Sequence, residues 1–153
     1  MNDEVAAILK GSYDLHVHAG PDPDQERRLD ALETGRHAYE AEMGGFVLKS
    51  HRYGTGPLAY VLGRMYPGLD VAGSIVLNTS VGGINPDAVD VAGRLGARVV
   101  WMPTMSARHY VERKGGSGGI GLLDGGKLKP SVLDVLDVAG RYDMVVASGH
   151  VAP

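Results

Sequence analysis

The sequence predicts an α/β fold with a parallel β-sheet, and three observations support this. Five short apolar blocks alternate with segments of helical periodicity, as in folds built from βαβ units. Residues 74–77 and 98–102 are nearly continuous apolar runs, which are typical of strands buried on both faces. Glycine accounts for 23 of the 153 residues, which suits tight turns between strands and helices.

The elements follow one another along the whole chain. The apolar blocks predict strands at 13–19, 45–50, 70–78, 97–104 and 144–150. Helical periodicity predicts helices at 24–43, at 57–66, between Asn85 and Gly96, and at 130–142. We also expect a short covering helix within the first ten residues.

Stripes and end signals justify each helix. The expected inward stripe of segment 24–43 consists of Leu29, Leu32, Tyr39 and Met43. Pro67 and Gly68 stop the second helix, and Asn85 followed by Pro86 is typical of the start of the third. The inward stripe of the last helix consists of Val132, Val135, Leu136 and Ala139. The glycine-rich segment 115–126 is either a mobile lid or a surface loop.

Composition limits the classes of function. The absence of cysteine excludes disulfides, thiolate zinc sites and cysteine nucleophiles. The net charge of −3, with no basic stripe, argues against a nucleic-acid partner. No apolar run approaches the ~20 residues of a membrane span, and the N-terminus lacks the features of a signal peptide. We therefore expect one cytoplasmic domain over 1–153, acting on a small molecule, with no nucleic-acid or membrane partner.

The strongest chemical signal is a His-x-His motif at the end of the first strand. Strand alternation places His16 and His18 on one face, and Leu15 and Val17 towards the covering helices. Two neighbouring imidazoles at a buried strand end need partners for their ring nitrogens. A divalent metal meets that need because it accepts a lone pair from each neutral ring.

Two other strands end in histidine. Lys49 and His51 end the second strand on one face, and His150 ends the fifth. Because the carboxyl ends of parallel strands meet at one edge, we expect these side chains to join His16 and His18, with the histidines as metal ligands. Lys49 could hold a substrate carboxylate, carry a carbamate that bridges metals, or pair with an acid such as Asp14 or Asp22.

The remaining candidates lie in loops and at strand ends. Arg108 is a candidate anion clamp, and His109 in the same loop a candidate substrate contact. Asn78 and Thr104 end strands and are expected to hydrogen-bond in the pocket, whereas His37 is expected to be solvated. No nucleotide-binding fingerprint or nucleophile elbow is present.

The motifs at 13–18, 49–51 and 148–150 together resemble the amidohydrolase superfamily of metal-dependent hydrolases. With residues 20–22 and 101–104, the whole chain looks like an amidohydrolase-like family within it. The resemblance implies a (β/α) barrel with one or two divalent metals. We expect Zn²⁺ first, and Mn²⁺ or another ion otherwise. It assigns His16, His18 and His150 as ligands. His51 and Lys49 match less directly, because the bridging carbamylated lysine of many members lies on the fourth strand.

The chain departs from a complete barrel of that kind. Such a barrel has eight βα units and about 250 residues, whereas five units are predicted here. The later histidine and the last-strand aspartate of the superfamily have no counterpart. We therefore expect an incomplete TIM-like barrel that is a fragment of a longer reading frame or associates with itself to cover its open face.

Three functions are consistent with these residues. The first is a metal-dependent hydrolase in which activated water attacks an amide, lactone or related carbonyl, with Asp22 or Asp24 as a proton shuttle. The second is a metal-dependent non-oxidative decarboxylase or lyase, with Lys49 and Arg108 holding a carboxylate. The third is an inactive fragment or a binding subunit that needs a partner.

Overall fold

The core of the molecule is a five-stranded parallel sheet. The structure, a computed structural model, describes residues 3–152. The strands are β1 (Tyr13–Val17), β2 (Gly45–Leu48), β3 (Asp70–Val76), β4 (Ala97–Trp101) and β7 (Val145–Ala147), paired in that order. All four pairings are parallel. The sheet curls into a half-barrel, which confirms the predicted α/β fold with an incomplete barrel.

Helices alternate with the strands along the chain. They are α1 (Asp3–Leu9), α2 (Ala31–Glu40), α3 (Gly56–Met65), α4 (Pro86–Arg94), α5 (Arg108–Arg113) and α6 (Pro130–Arg141). The expected first helix is thus present from Asp3, and residues 1–2 lie outside the described part. A two-stranded antiparallel hairpin, β5 (Leu123–Asp124) with β6 (Lys127–Leu128), lies between α5 and α6.

Two apolar clusters join the helices to the sheet. One contains residues of β3, β4, α4 and α6, with Val89, Val100 and Val135 all fully buried. The other joins α2 and α3 to β2 through Phe46, Leu48 and Leu62. Val47, Ala72, Val99 and their neighbours line the concave side instead. Helix stripes and strand alternation therefore act as the sequence predicts over most of the chain.

The helix predicted at 24–43 is shorter in the structure. It corresponds to α2, which begins at Ala31 because Asp30 and Glu33 form a capping box. The preceding segment is held as a loop by two ion pairs, Arg27 with Asp22 and Arg52 with Asp24.

The buried side of α2 also differs from the predicted stripe. Leu32 and Tyr39 are each about half exposed, and Ala31, Gly35 and Ala38 face the core instead. The reason is close packing, since a Cβ atom on Gly35 would lie 2.8 Å from Cε2 of Tyr66, the residue that follows α3. The small residues let that aromatic ring approach the α2 backbone.

The edge strand β1 departs from simple alternation. Leu15 was expected to point to the helices, but it lies on the concave side and is 63% exposed, whereas Val17 packs in the α2–α3 cluster. The register of β1 against β2 shifts between Asp14 and Val17. This irregularity breaks the period of two on which the expectation depended.

The glycine-rich segment is tied to the chain that follows β4. Ile120 N–H donates to the Ser106 carbonyl at 2.7 Å, and its carbonyl accepts from Arg108 N–H at 2.9 Å. The segment then enters the β5–β6 hairpin. Between residues 3 and 152, no helix is long and apolar enough to span a membrane.

Close packing at Gly35 predicts opposite effects for two glycine substitutions in helices. Gly35→Ala forces a methyl group against Tyr66 and should lower the free energy of unfolding by about 1–3 kcal/mol. Gly63→Ala on α3 meets nothing within 4 Å and should raise it by up to ~1 kcal/mol. Urea unfolding of both variants measures the difference, and equal effects would contradict the packing described for α2.

Candidate functional site

The structure brings the predicted histidines together at the carboxyl edge of the sheet. The ring centroids of His16 and His18 are 5.1 Å apart, and those of His18 and His51 are 4.7 Å apart. The His150 ring follows at 6.4 Å from that of His51. Parallel strands end at this edge, so residues distant in sequence form one continuous row of rings.

His16 and His18 form the tightest contact of the row. Their Nε2 atoms are 3.2 Å apart, and Asp14 Oδ1 accepts the backbone N–H of His16 at 2.9 Å. Two nitrogens bound to one ion at about 2.1 Å, at angles of 90–110°, are separated by about 3.0–3.4 Å. The spacing thus fits two ligands of one ion. Among residues 3–152, however, no group of three or more His, Cys, Asp and Glu side chains is arranged to hold a metal.

Lys49 lies beside this pair and is only 3% exposed. Its Nζ atom is 3.1 Å from His16 Nε2 and 4.0 Å from the centre of the Trp101 ring. The suggested pairing with Asp14 or Asp22 is not found, and within the described part of the chain Lys49 pairs with no carboxylate. Burial lowers the pKa of Lys49 to about 8, so a neutral amine is accessible near physiological pH.

A buried hydrogen-bond network holds His51. Its Nδ1 atom lies 2.9 Å from Thr104 Oγ1, and Asn78 Nδ2 donates to that oxygen and to the His51 carbonyl. Asn78 Oδ1 accepts the backbone N–H groups of Thr104 and Ser106. Asn78 and Thr104, predicted to bond within the pocket, therefore position His51. If Nδ1 donates to Thr104, the Nε2 lone pair of His51 is free for a ligand.

Two aromatic side chains complete the row and were missed from the sequence. Trp101 packs on His16 with a centroid distance of 4.8 Å, and Tyr110 packs on His150 at 5.2 Å. Trp101 is the last residue of β4, so its position at a strand end could have indicated that it lies beside the histidines. Tyr110 follows His109 in α5, and no sequence motif distinguishes it.

The candidate acid Asp22 forms an ion pair with an arginine. The Arg27 guanidinium binds it, with Nε at 2.7 Å from Oδ2. Burial alone would raise the pKa of Asp22, but the Asp24 backbone N–H and Arg27 outweigh burial and hold that pKa below its usual value. Asp22 thus remains a carboxylate. In that form it can accept a proton but has none to donate.

Arg108 and His109 face a different cavity. They line it with residues of the glycine-rich segment and with Val151 and Ala152. Between residues 3 and 152, neither side chain contacts the four clustered histidines. His37, expected to be solvated, is exposed on α2.

The row of rings favours neutral imidazole. Burial lowers the pKa of His18 and of His51 to about 4, with smaller contributions from neighbouring cationic groups. Burial and then Lys49 lower the pKa values of His16 and His150 as well. Neutral rings keep the lone pairs with which imidazole binds a metal or accepts a proton.

Residues 11–153 match the family of unknown function DUF6282. The chain belongs to this family. No curated protein and no solved structure matches the chain significantly. Because the function of this family is unknown, its match does not test the amidohydrolase resemblance, which is a hypothesis about this chain.

The network around His51 predicts a loss of stability when its hydroxyl group is removed. Thr104→Val leaves His51 Nδ1 without its partner and should lower the free energy of unfolding by about 1–3 kcal/mol. Thr104→Ser keeps the hydroxyl and should lose less. Urea unfolding gives both values, and nitrogen NMR of the His51 ring should report a changed tautomer in the valine variant only. An equal loss in both variants would contradict the role given to the hydroxyl group, since the serine variant keeps it.

The lowered histidine pKa values predict acid-sensitive stability. Unfolded imidazole titrates near ~6.5, so between that pH and about 4 the unfolded chain binds more protons than the folded one. The contribution of these rings to the free energy of unfolding is therefore complete above about pH 6.5 and is lost as the pH falls to about 4. Urea unfolding in the presence of a chelator should show a weaker pH slope for His18→Gln than for the wild type. His37→Gln, on the exposed side of α2, should leave the slope unchanged; equal slopes in all three proteins would contradict this.

Proposed function

We propose that this chain carries the metal-binding part of a metal-dependent hydrolase that acts on amides, lactones or related carbonyl compounds. The 3.2 Å separation of the His16 and His18 Nε2 atoms carries the proposal. The neutral rings, the adjacent His51 and His150, and the resemblance of the motifs to amidohydrolases support it.

His16 and His18 would hold the ion, with His51 and His150 as the next candidates along the row. Imidazole nitrogen favours Zn²⁺ over harder cations, with Mn²⁺ as another candidate. A divalent ion held there would lower the pKa of bound water and polarise the substrate carbonyl. The low pKa values of the rings mean that binding need not displace protons near neutral pH.

The chain's own polar groups can orient a substrate at this edge. Thr104 and Asn78 fix the His51 ring, while Trp101 and Tyr110 pack on His16 and His150. Asp22 is the candidate proton acceptor, although Arg27 and the Asp24 N–H engage its oxygens and lower its basicity. These groups support hydrolysis, in which a proton must leave the attacking water.

A second candidate function follows from Lys49. A buried amine that pairs with no described carboxylate favours a carboxylate-bearing ligand, which is the substrate of a metal-dependent non-oxidative decarboxylase or lyase. Assays separate the two reactions. Hydrolysis of ester, lactone and amide panels that stops with a chelator supports the first, and release of CO₂ supports the second.

Metal analysis of histidine variants tests the ligand assignment. His16→Ala combined with His18→Ala should abolish the bound zinc measured by elemental analysis after native purification, because both facing nitrogens are lost. His37→Ala should retain it, since that side chain is exposed on α2. Occupancy in the wild type should fall as the rings protonate in acid. Unchanged zinc in the double variant would falsify the assignment.

A further inference from the structure

A cavity beside the row of histidines is apolar over most of its lining. It measures about 340 Å³ and lies between α5, the glycine-rich segment and the chain that follows His150. Leu123 and Leu128 form a cross-strand pair of the hairpin at its rim, and they are 51% and 42% exposed. This size is within the range of small-molecule sites, which are mostly apolar with a few polar groups.

One unpaired cation lies in that lining. The Arg108 guanidinium packs against Gly121, where a Cβ atom would lie 2.7 Å from the guanidinium carbon. In the described part of the chain it makes no ion pair, even with Glu112 one turn later on the same helix. Glu112 and His109 are the other polar side chains of the lining. A planar guanidinium without a partner beside apolar surface is complementary to a carboxylate with an apolar body.

The cavity adjoins the proposed metal site through α5 and residues 150–152. Tyr110 packs on His150, while Arg108, two residues earlier, faces the cavity. Val151 and Ala152, which follow His150 directly, form part of the cavity wall. A molecule seated in the cavity would thus have one end close to the histidine row.

We propose that this cavity binds the apolar body and the terminal carboxylate of the substrate, with Arg108 holding the carboxylate. The substrate class is then an acidic carbonyl compound with an aliphatic or aromatic middle, whose reacting carbonyl reaches the histidines. This inference rests on the proposed function for its substrate role, but the binding site itself requires no metal.

Octanoate is the probe, with 1-octanol as its uncharged counterpart. Octanoate is titrated into the full chain in the presence of a chelator, and backbone NMR monitors its binding. The signals of residues 120–123 and 151–152 should shift. We expect octanoate to bind at least tenfold more tightly than 1-octanol, because a hydrogen bond to a charged group distinguishes them. From butanoate to octanoate, each methylene should tighten binding by up to about fourfold.

Four variants separate the contributions of the cavity. Arg108→Gln should weaken octanoate about tenfold and leave 1-octanol unchanged, and Glu112→Gln should tighten octanoate about twofold by removing a like charge. Leu128→Ala should weaken both probes. Lys127→Gln, on the same hairpin but outside the lining, makes the same change of charge as Arg108→Gln and should leave both affinities unchanged.

The outcomes distinguish this inference from the proposed function. Equal affinity for the two probes, an equal effect of Arg108→Gln and Lys127→Gln, or signal changes outside the cavity would each overturn the carboxylate site, whatever the metal content. If octanoate binds as expected but the histidine variants retain zinc, the site stands and the assignment of the metal ligands fails.

Discussion

Parallel pairing of the five strands determines where the chemically active side chains of this chain lie. Because all the strands run in one direction, their last residues share an edge, and residues as distant in sequence as His16 and His150 both lie along it. The edge is braced across strands as well. Asn78 Oδ1 accepts backbone N–H groups of Thr104 and Ser106, which couples the end of β3 to the loop after β4.

The charges around this edge are arranged unequally. Four imidazoles and the Lys49 amine lie together, while the nearby Asp22 and Asp24 are engaged by Arg27 and Arg52. Burial disfavours the charged form of the rings, and the nearby cations Lys49 and Arg27 disfavour it further, so the rings remain neutral. Neutral rings offer lone pairs, which suit a metal cation. The unpaired guanidinium that suits an anion lies apart, in the α5 cavity.

Sequence reasoning succeeded where strand order and periodicity control position, and failed where local register or long-range packing does. The histidine row follows from strand ends alone. Leu15 could not be placed correctly, because the register shift between Asp14 and Val17 depends on pairing with β2. The contact of Lys49 with Trp101 was also missed, since it joins β2 to β4 across the concave face and leaves no trace in residue spacing.

The glycine-rich segment shows why composition alone leaves lid and loop undecided. Glycine permits motion, but it also permits close approach, and the two uses look alike in a sequence. Here close approach accounts for two positions, because a Cβ atom would lie 2.7 Å from Arg108 Cα at Gly119 and 2.7 Å from the guanidinium carbon at Gly121. The missing side chains thus make room for Arg108 against the segment. Glycine at these two positions therefore allows Arg108, the unpaired cation described in the cavity lining, to lie where it does.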